Sequence, residues 1–237
     1  MKIFKDKKTL QKKILKIKNL SFVPTMGSLH KGHERLIKIA KKRFKKVIVS
    51  IYVNPKQFNS REDFRTYPRN AQKDINILKR LKVDYLYMPN YIDIYHFKPK
   101  NKIFLHSFKK KLCGKTRKGH FKGVLNVINR FLDIIKPKYI LLGKKDFQQL
   151  FLVKKHIEKN KISTKVIPCE TVRNKNGIAL SSRNNNLKKE EFNRLTKIIN
   201  KIRKNKRFMN KQKIIKILNE MAIKKIDYVE FLNLNNL

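Results

Sequence analysis

The sequence has no tryptophan, two cysteines, seven glycines, and sixteen acidic residues against sixty-one lysines and arginines. Each shortage excludes something. Two cysteines, Cys113 and Cys169, fit neither a disulfide framework nor a metal-binding spacing. No run of about 18 or more uncharged apolar residues occurs, so no membrane-spanning helix is expected. The first residues, MKIFKDKKTLQKK, lack the apolar stretch of a secretory signal. They are basic but carry no arginine, which speaks against organelle targeting. The expected location is the cytoplasm.

What is present points to a folded chain. Hydrophobic residues make up 41% of 237 residues, enough for a core in one large domain or in a domain with a smaller partner. The net charge of +45 would attract nucleic acid or anionic membrane. The lysines are spread along the whole chain, however, and do not gather in one arm. We read them as solvated faces, in a sequence whose Lys, Asn and Ile richness has the look of AT-rich coding. A basic nucleic-acid-binding protein stays as the alternative from a different class.

The first two thirds alternate short apolar runs with helical patterns, as in an α/β domain with a parallel sheet. Strands are expected at Leu20 to Pro24, Val47 to Val53, Val83 to Met88, Tyr139 to Leu142 and Lys165 to Pro168. Helices are expected at His33 to Phe44, Ala71 to Leu81, Val124 to Ile135 and Phe147 to Glu158. After about Cys169 the chain turns polar. Two helices, Lys188 to Lys204 and Asn210 to Ile223, and a strand at Tyr228 to Leu232 are expected there. This places a domain boundary near residue 170, giving domains 1–170 and 171–237.

Four segments carry chemistry. PTMGSLHKGH, Pro24 to His33, ends a strand, turns at Gly27 and sets His30 and His33 at the start of a helix. That end carries partial positive charge and free N–H groups, and suits a phosphate. Two imidazoles there can donate to phosphate oxygens as charge develops. An isolated pair of histidines would be an ordinary surface loop. After a strand and a glycine turn it resembles the H-x-G-H signature of the nucleotidylyltransferase superfamily, and another enzyme of that superfamily is an alternative. SIYVNPKQF, Ser50 to Phe58, delivers Asn54 and Gln57 at the carboxyl end of a strand, where ligands bind in open α/β sheets. Alone it reads equally well as an Asn-Pro turn.

GKKDFQQL, Gly143 to Leu150, lies at another strand end. Gly143 lets a ligand approach the backbone. Lys145 suits polyphosphate and Asp146 suits a ribose hydroxyl, and Gln148 or Gln149 can face the site. The plainer reading is a lysine-rich loop with Asp146 as helix cap. GIALSSRN, Gly177 to Asn184, offers two hydroxyls and the rigid donor fork of an arginine. Alone it is a polar loop.

Taken together, the order and spacing of these segments resemble the pantothenate synthetase family. EDFRTYPR (Glu62 to Arg69), RKGHFKGV (Arg117 to Val124) and IIKPKYILLGKKDFQQL (Ile134 to Leu150) extend the likeness over roughly residues 1 to 232. The resemblance implies a Rossmann-like domain with a smaller α+β lid. It implies condensation of pantoate with β-alanine through pantoyl adenylate, with release of AMP and pyrophosphate. Mg-ATP would be a substrate, the metal arriving with the nucleotide, with no tightly bound cofactor and no protein metal site. No specific nucleic acid or membrane partner is implied, and a homodimer is. By resemblance Met26, Gly27, His30 and His33 belong to the ATP site, with His33 the proton donor. Gly143, Lys144, Lys145 and Asp146 form the nucleotide loop, and Val172 meets adenine through its backbone. Leu180, Ser181, Ser182 and Arg183 match a phosphate clamp. Gln57 and Gln149 match the pantoate-binding glutamines. His30, His33, Lys145 and Arg183 would carry the catalysis.

Two positions depart from the family pattern. Lys118 and Lys144 stand where proline and glutamate are usual. Family members also continue for several tens of residues beyond Tyr228-Val-Glu-Phe, so a shortened lid is expected.

Overall fold

A computed structural model describes residues 1–223 and 225–234, with the backbone alone at 185, 186 and 206. The chain begins with β1 (Lys2–Phe4), α1 (Lys7–Ile14), β2 (Leu20–Thr25), α2 (Lys31–Arg43) and β3 (Lys46–Ile51). There follow α3 (Arg61–Thr66), α4 (Ala71–Arg80), β4 (Tyr85–Tyr87), α5 (Tyr91–Tyr95), α6 (Cys113–Thr116) and α7 (His120–Ile135). The rest holds β5 (Tyr139–Gly143), α8 (Phe147–Lys159), β6 (Lys165–Cys169), α9 (Lys189–Lys204) and α10 (Lys211–Glu220).

The six strands described form one parallel sheet in the order β1-β4-β3-β2-β5-β6. The central strands are apolar on both faces because helices cover both. One layer packs α1, α7 and α8 on Phe22, Ile48, Tyr87 and Ile140. The other packs α2 and α4 on Val23, Val47, Val49 and Leu141. Helix α7 lies deepest: Leu125, Ile128, Phe131, Leu132 and Ile135 are all buried. Each such side chain contributes roughly 1.5–3 kcal/mol by leaving water.

Strand order reverses between β2 and β5. There β2 pairs with β3 through six positions, from Leu20↔Lys46 to Thr25↔Ile51. With β5 it pairs at two, Ser21↔Tyr139 and Phe22↔Ile140. The strands part toward their carboxyl ends, and Pro24, which has no N–H to give, stands where that ladder has stopped. This is the switch-point crevice of an open α/β sheet.

One expected element is corrected. Tyr228 to Leu232 form no strand. Tyr228 instead meets Cys113, its hydroxyl 2.8 Å from Sγ, and Leu232 packs against the main core. Apolar spacing alone suggested a strand, but a strand needs a free edge to pair with. Beyond Cys169 the pairing among the described residues is the isolated antiparallel bridge Arg173↔Ala179. No helix among the described residues is long and apolar enough to cross a membrane.

Candidate active site

A cavity of about 240 Å³ opens at the switch point, between the carboxyl ends of β2, β3, β5 and β6.

The wall after β2 is a turn held from below. Gly27 (φ +79) and Ser28 (φ +50) both take left-handed backbone. The buried carboxylate of Asp74 accepts the N–H of Ser28 and that of Leu29, each at 2.8 Å. A Cβ on Gly27 would sit 3.0 Å from Asp74 Oδ2, so conformation and space both demand glycine. Burial raises the pKa of Asp74, and its two backbone donors oppose the rise.

His30 then caps α2. Its Nδ1 accepts the N–H of Gly32 at 3.0 Å, and His33 Nδ1 accepts the N–H of His30 at 3.4 Å. A Cβ on Gly32 would lie 2.6 Å from His30 Cε1, which explains the glycine between the histidines. Because each Nδ1 accepts, each neutral ring carries its proton on Nε2. The rings lie 4.1 Å apart, centroid to centroid. Burial, His30 and Lys145 push His33 down to about 3, and burial followed by Lys145 lowers His30. Both are neutral N–H donors at pH 7.

After β3, the buried Asn54 donates to Gln57 Oε1 at 3.1 Å and to Gly123 O at 3.2 Å. Its own Oδ1 accepts from Tyr95 at 2.8 Å. Gln57 therefore turns its NH₂ toward Met26 and the cavity, with Nε2 at 2.9 Å from Met26 Sδ. After β5, Gly143, Lys145, Asp146 and Gln149 line the cavity. Lys145 Nζ lies 3.2 Å from Asp146 Oδ1. Asp146 precedes α8 without a side-chain capping bond. Gln148 faces away, donating to Phe108 O and Lys111 O at 2.7 Å each.

From the segment after β6, Val172, Leu180, Ser181, Ser182 and Arg183 reach the same cavity. Ser182 Oγ donates to Ser28 O at 3.1 Å. Arg183 pairs with Asp63 at 2.9 Å and lies 5.6 Å from the Tyr67 ring centre.

Of the residues expected in the site, Met26, His30, His33, Gln57, Gly143, Lys145, Asp146, Gln149, Val172, Leu180, Ser181, Ser182 and Arg183 line the cavity. Gly27 and Lys144 do not. Gly27 lies behind the turn against Asp74, and Lys144 turns out to pair with Glu170. Arg117, His120 and Tyr67 line it too, and sequence reasoning gave them no role. The signal for Arg117 and His120 was there in RKGHFKGV, where an arginine and a histidine precede the longest apolar helix. Asn54, expected at the end of its strand, stands behind Gln57 and holds it. Asp74 is reached through Ser28 and Leu29, which lie too far along the chain to be read from spacing.

The sequence profile of the family described as pantoate-beta-alanine ligase matches residues 2–237. Pantothenate synthetase of Francisella tularensis subsp. novicida (strain U112) is 41% identical over 231 residues, covering 95% of this chain and 86% of that protein. A crystal structure of pantoate-beta-alanine ligase from Francisella tularensis, complexed with beta-gamma ATP and beta-alanine, superposes with a TM-score of 0.89 at 39% identity, over 98% of this chain and 90% of that one. Pantothenate synthetase from Thermus thermophilus superposes with a TM-score of 0.83 at 29% identity, over 94% and 82%. On the strength of the profile, the identity and the shared fold, this chain belongs to the pantoate–β-alanine ligase family.

Proposed function

We propose that the chain condenses pantoate with β-alanine at the expense of ATP, by way of pantoyl adenylate. The observation that carries the reading is the meeting in one cavity of two neutral imidazole donors, Lys145, Arg183 and the amides of Gln57 and Gln149. A carboxylate resists attack by an amine until one of its oxygens becomes part of a leaving group. In the first step a pantoate oxygen bonds to the α-phosphorus, the bond to the β-phosphate bridge breaks, and pyrophosphate leaves. His30 and His33 donate through Nε2–H to the phosphate oxygens as charge builds, and Lys145 neutralises them. Arg183 exchanges Asp63 for phosphate. Gln57 gives its NH₂ to pantoate, and Gln149 faces it. Val172 and Leu180 border the base, and Asp146 takes the ribose. Magnesium enters with the nucleotide.

In the second step the amine bonds to the acyl carbon and the bond to AMP breaks. Arg117 lines the cavity with no side-chain hydrogen bond or ion pair among the described residues. We assign it to the carboxylate of the incoming amino acid. In this reading residues 1–170 hold the substrates and the segment from 171 onward acts as a lid. A cytoplasmic homodimer belongs to the same reading. Exchange of labelled pyrophosphate into ATP tests it. Exchange is expected with pantoate alone, and an active preparation that needs β-alanine for exchange contradicts the two-step course.

A further inference from the structure

His120 opens α7 and is 7% exposed. Its Nδ1 stands 2.6 Å from the carbonyl oxygen of Gln57. A carbonyl can only accept, so Nδ1 carries the proton. In the neutral ring Nε2 is then a bare acceptor. The ring lines the cavity. Among the described residues Nε2 has no hydrogen-bond partner, and it is not one of the buried atoms sealed off without one. His30 and His33 hold the opposite tautomer. The cavity thus has two imidazole donors beside one imidazole acceptor.

The two chemical steps have opposite proton needs. Adenylation transfers no proton, because a carboxylate oxygen attacks and pyrophosphate leaves. Amide formation does release one. The nitrogen becomes cationic when it bonds to the acyl carbon, and it must shed a proton before the AMP oxygen departs with the electron pair of the C–O bond. We propose that Nε2 of His120 is the base that takes this proton. The N–H bond breaks, an Nε2–H bond forms, and the imidazolium later returns its proton to solvent.

Three observations support the assignment, which rests on the two-step reading above. The hydrogen bond to Gln57 O ties the base to the same short loop whose side chain faces pantoate. Arg117 stands three residues earlier, its carbonyl accepting the His120 N–H at 3.2 Å, and its charge acts on the ring, so the carboxylate site assigned to Arg117 and the base are neighbours. The charged groups around the ring are Arg117, Arg183 and Asp146. Burial and the two arginines, against Gln57 O and Asp146, bring His120 down to about 4, so the ring is neutral at pH 7 with Nε2 open to a proton, and the same shift makes it a weaker base than a free imidazole. Helix burial alone would not require the Nε2 side to stay open to the cavity.

His120→Asn provides the test. An asparagine amide takes the place of Nδ1–H and can keep the bond to Gln57 O, while the Nε2 position is lost. Pantoate-dependent exchange of pyrophosphate into ATP should stay within about threefold of the parent. The kcat for pantothenate formation should fall about 100-fold, as for loss of a general base, with little change in the KM for β-alanine. Equal loss in both reactions would make His120 a positioning residue for Gln57 and overturn the proposal, as would near-normal condensation. If the variant does not fold, the solvent deuterium effect on the parent enzyme decides. Slowing of aminolysis without slowing of exchange is expected, and equal behaviour of the two overturns the proposal. Absence of exchange in the parent enzyme would instead refute the two-step reading itself.

Discussion

The hydroxyl of Ser182 donates to the carbonyl of Ser28 at 3.1 Å, across 154 positions of sequence. It joins the segment from the carboxyl side of β6 to the turn that precedes His30. That same turn hangs from Asp74 by two 2.8 Å bonds. Asp74 therefore positions two walls of the cavity at once. Asp74→Asn turns one accepting oxygen into a donor facing a backbone N–H, which costs roughly 1–3 kcal/mol. The KM for ATP should rise about tenfold with the KM for pantoate nearly unchanged, in steady-state kinetics. A drop in melting temperature without this split would make Asp74 structural only.

Much of this was legible in the sequence, for physical reasons. Strands β2, β3 and β5 are mostly apolar runs closed by the Gly27 turn, Asn54-Pro55 and Gly143-Lys144, and buried parallel strands must look that way. β1, three residues long and partly exposed, carries no such pattern. Helix α7 starts four residues before its apolar run, because left-handed Gly119 breaks the chain there and His120 is itself buried. Asp74 sits inside the helix expected at Ala71 to Leu81, with nothing in the sequence to set it apart. It lies on the buried side with Leu78, and only the tertiary partners at Ser28 and Leu29 reveal why. The strand expected at 228–232 failed because spacing gives a face but not a neighbour.

Gln57 is oriented by Asn54, which holds its Oε1 at 3.1 Å. Without that bond the amide is free to flip and present its oxygen to an anionic substrate. Asn54→Ala should raise the KM for pantoate about tenfold, in keeping with the roughly 1–3 kcal/mol of an unpaired buried group, while the KM for ATP stays put. Equal changes in both would show that Asn54 supports the fold and not the amide.

His33→Ala should lower kcat about 100-fold or more, since loss of one donor aimed at developing charge costs about 3 kcal/mol. Its melting temperature should hardly move, because its hydrogen bond to His30 is long, 3.4 Å. Near-normal turnover would remove His33 from the transition state.

Stability should depend on pH through His156. The ring is fully buried, accepts the Phe104 N–H and an Asn160 amide N–H, and faces Asn129 Oδ1 through Nε2 at 3.1 Å. Burial brings its pKa from 6.5 down to about 4. Between these values the unfolded chain binds a proton that the folded chain refuses, so stability falls as pH drops from 6.5 toward 4. The loss amounts to about 3 kcal/mol by the low end. His33 and His120, also depressed, act in the same direction. Urea unfolding at pH 7 and at pH 4.5 would measure it, and equal midpoints would contradict a neutral His156.

The lid reading makes a prediction about local stability. Helices α9 and α10 bury one residue each, Ile198 and Ile217, whereas α7 is buried along most of its length. Around them Arg194 donates to Ala222 O, and exposed ion pairs such as Lys201–Glu220 and Lys211–Glu230 add at most about 1 kcal/mol each. Few buried contacts mean cheap local opening. The segment's hold on the cavity is equally light: one hydroxyl bond from Ser182 and a partly exposed pair between Arg183 and Asp63. Phosphate at Arg183 would replace a single carboxylate with a denser charge, and binding stabilises the state that binds. Hydrogen exchange should therefore be fast across residues 171–223 in the free enzyme, and slow on adding Mg-ATP with pantoate. The change should be largest around Ser181 to Arg183 and absent in α7. Equally slow exchange in both states would mean a rigid segment, and the lid reading would have to be abandoned.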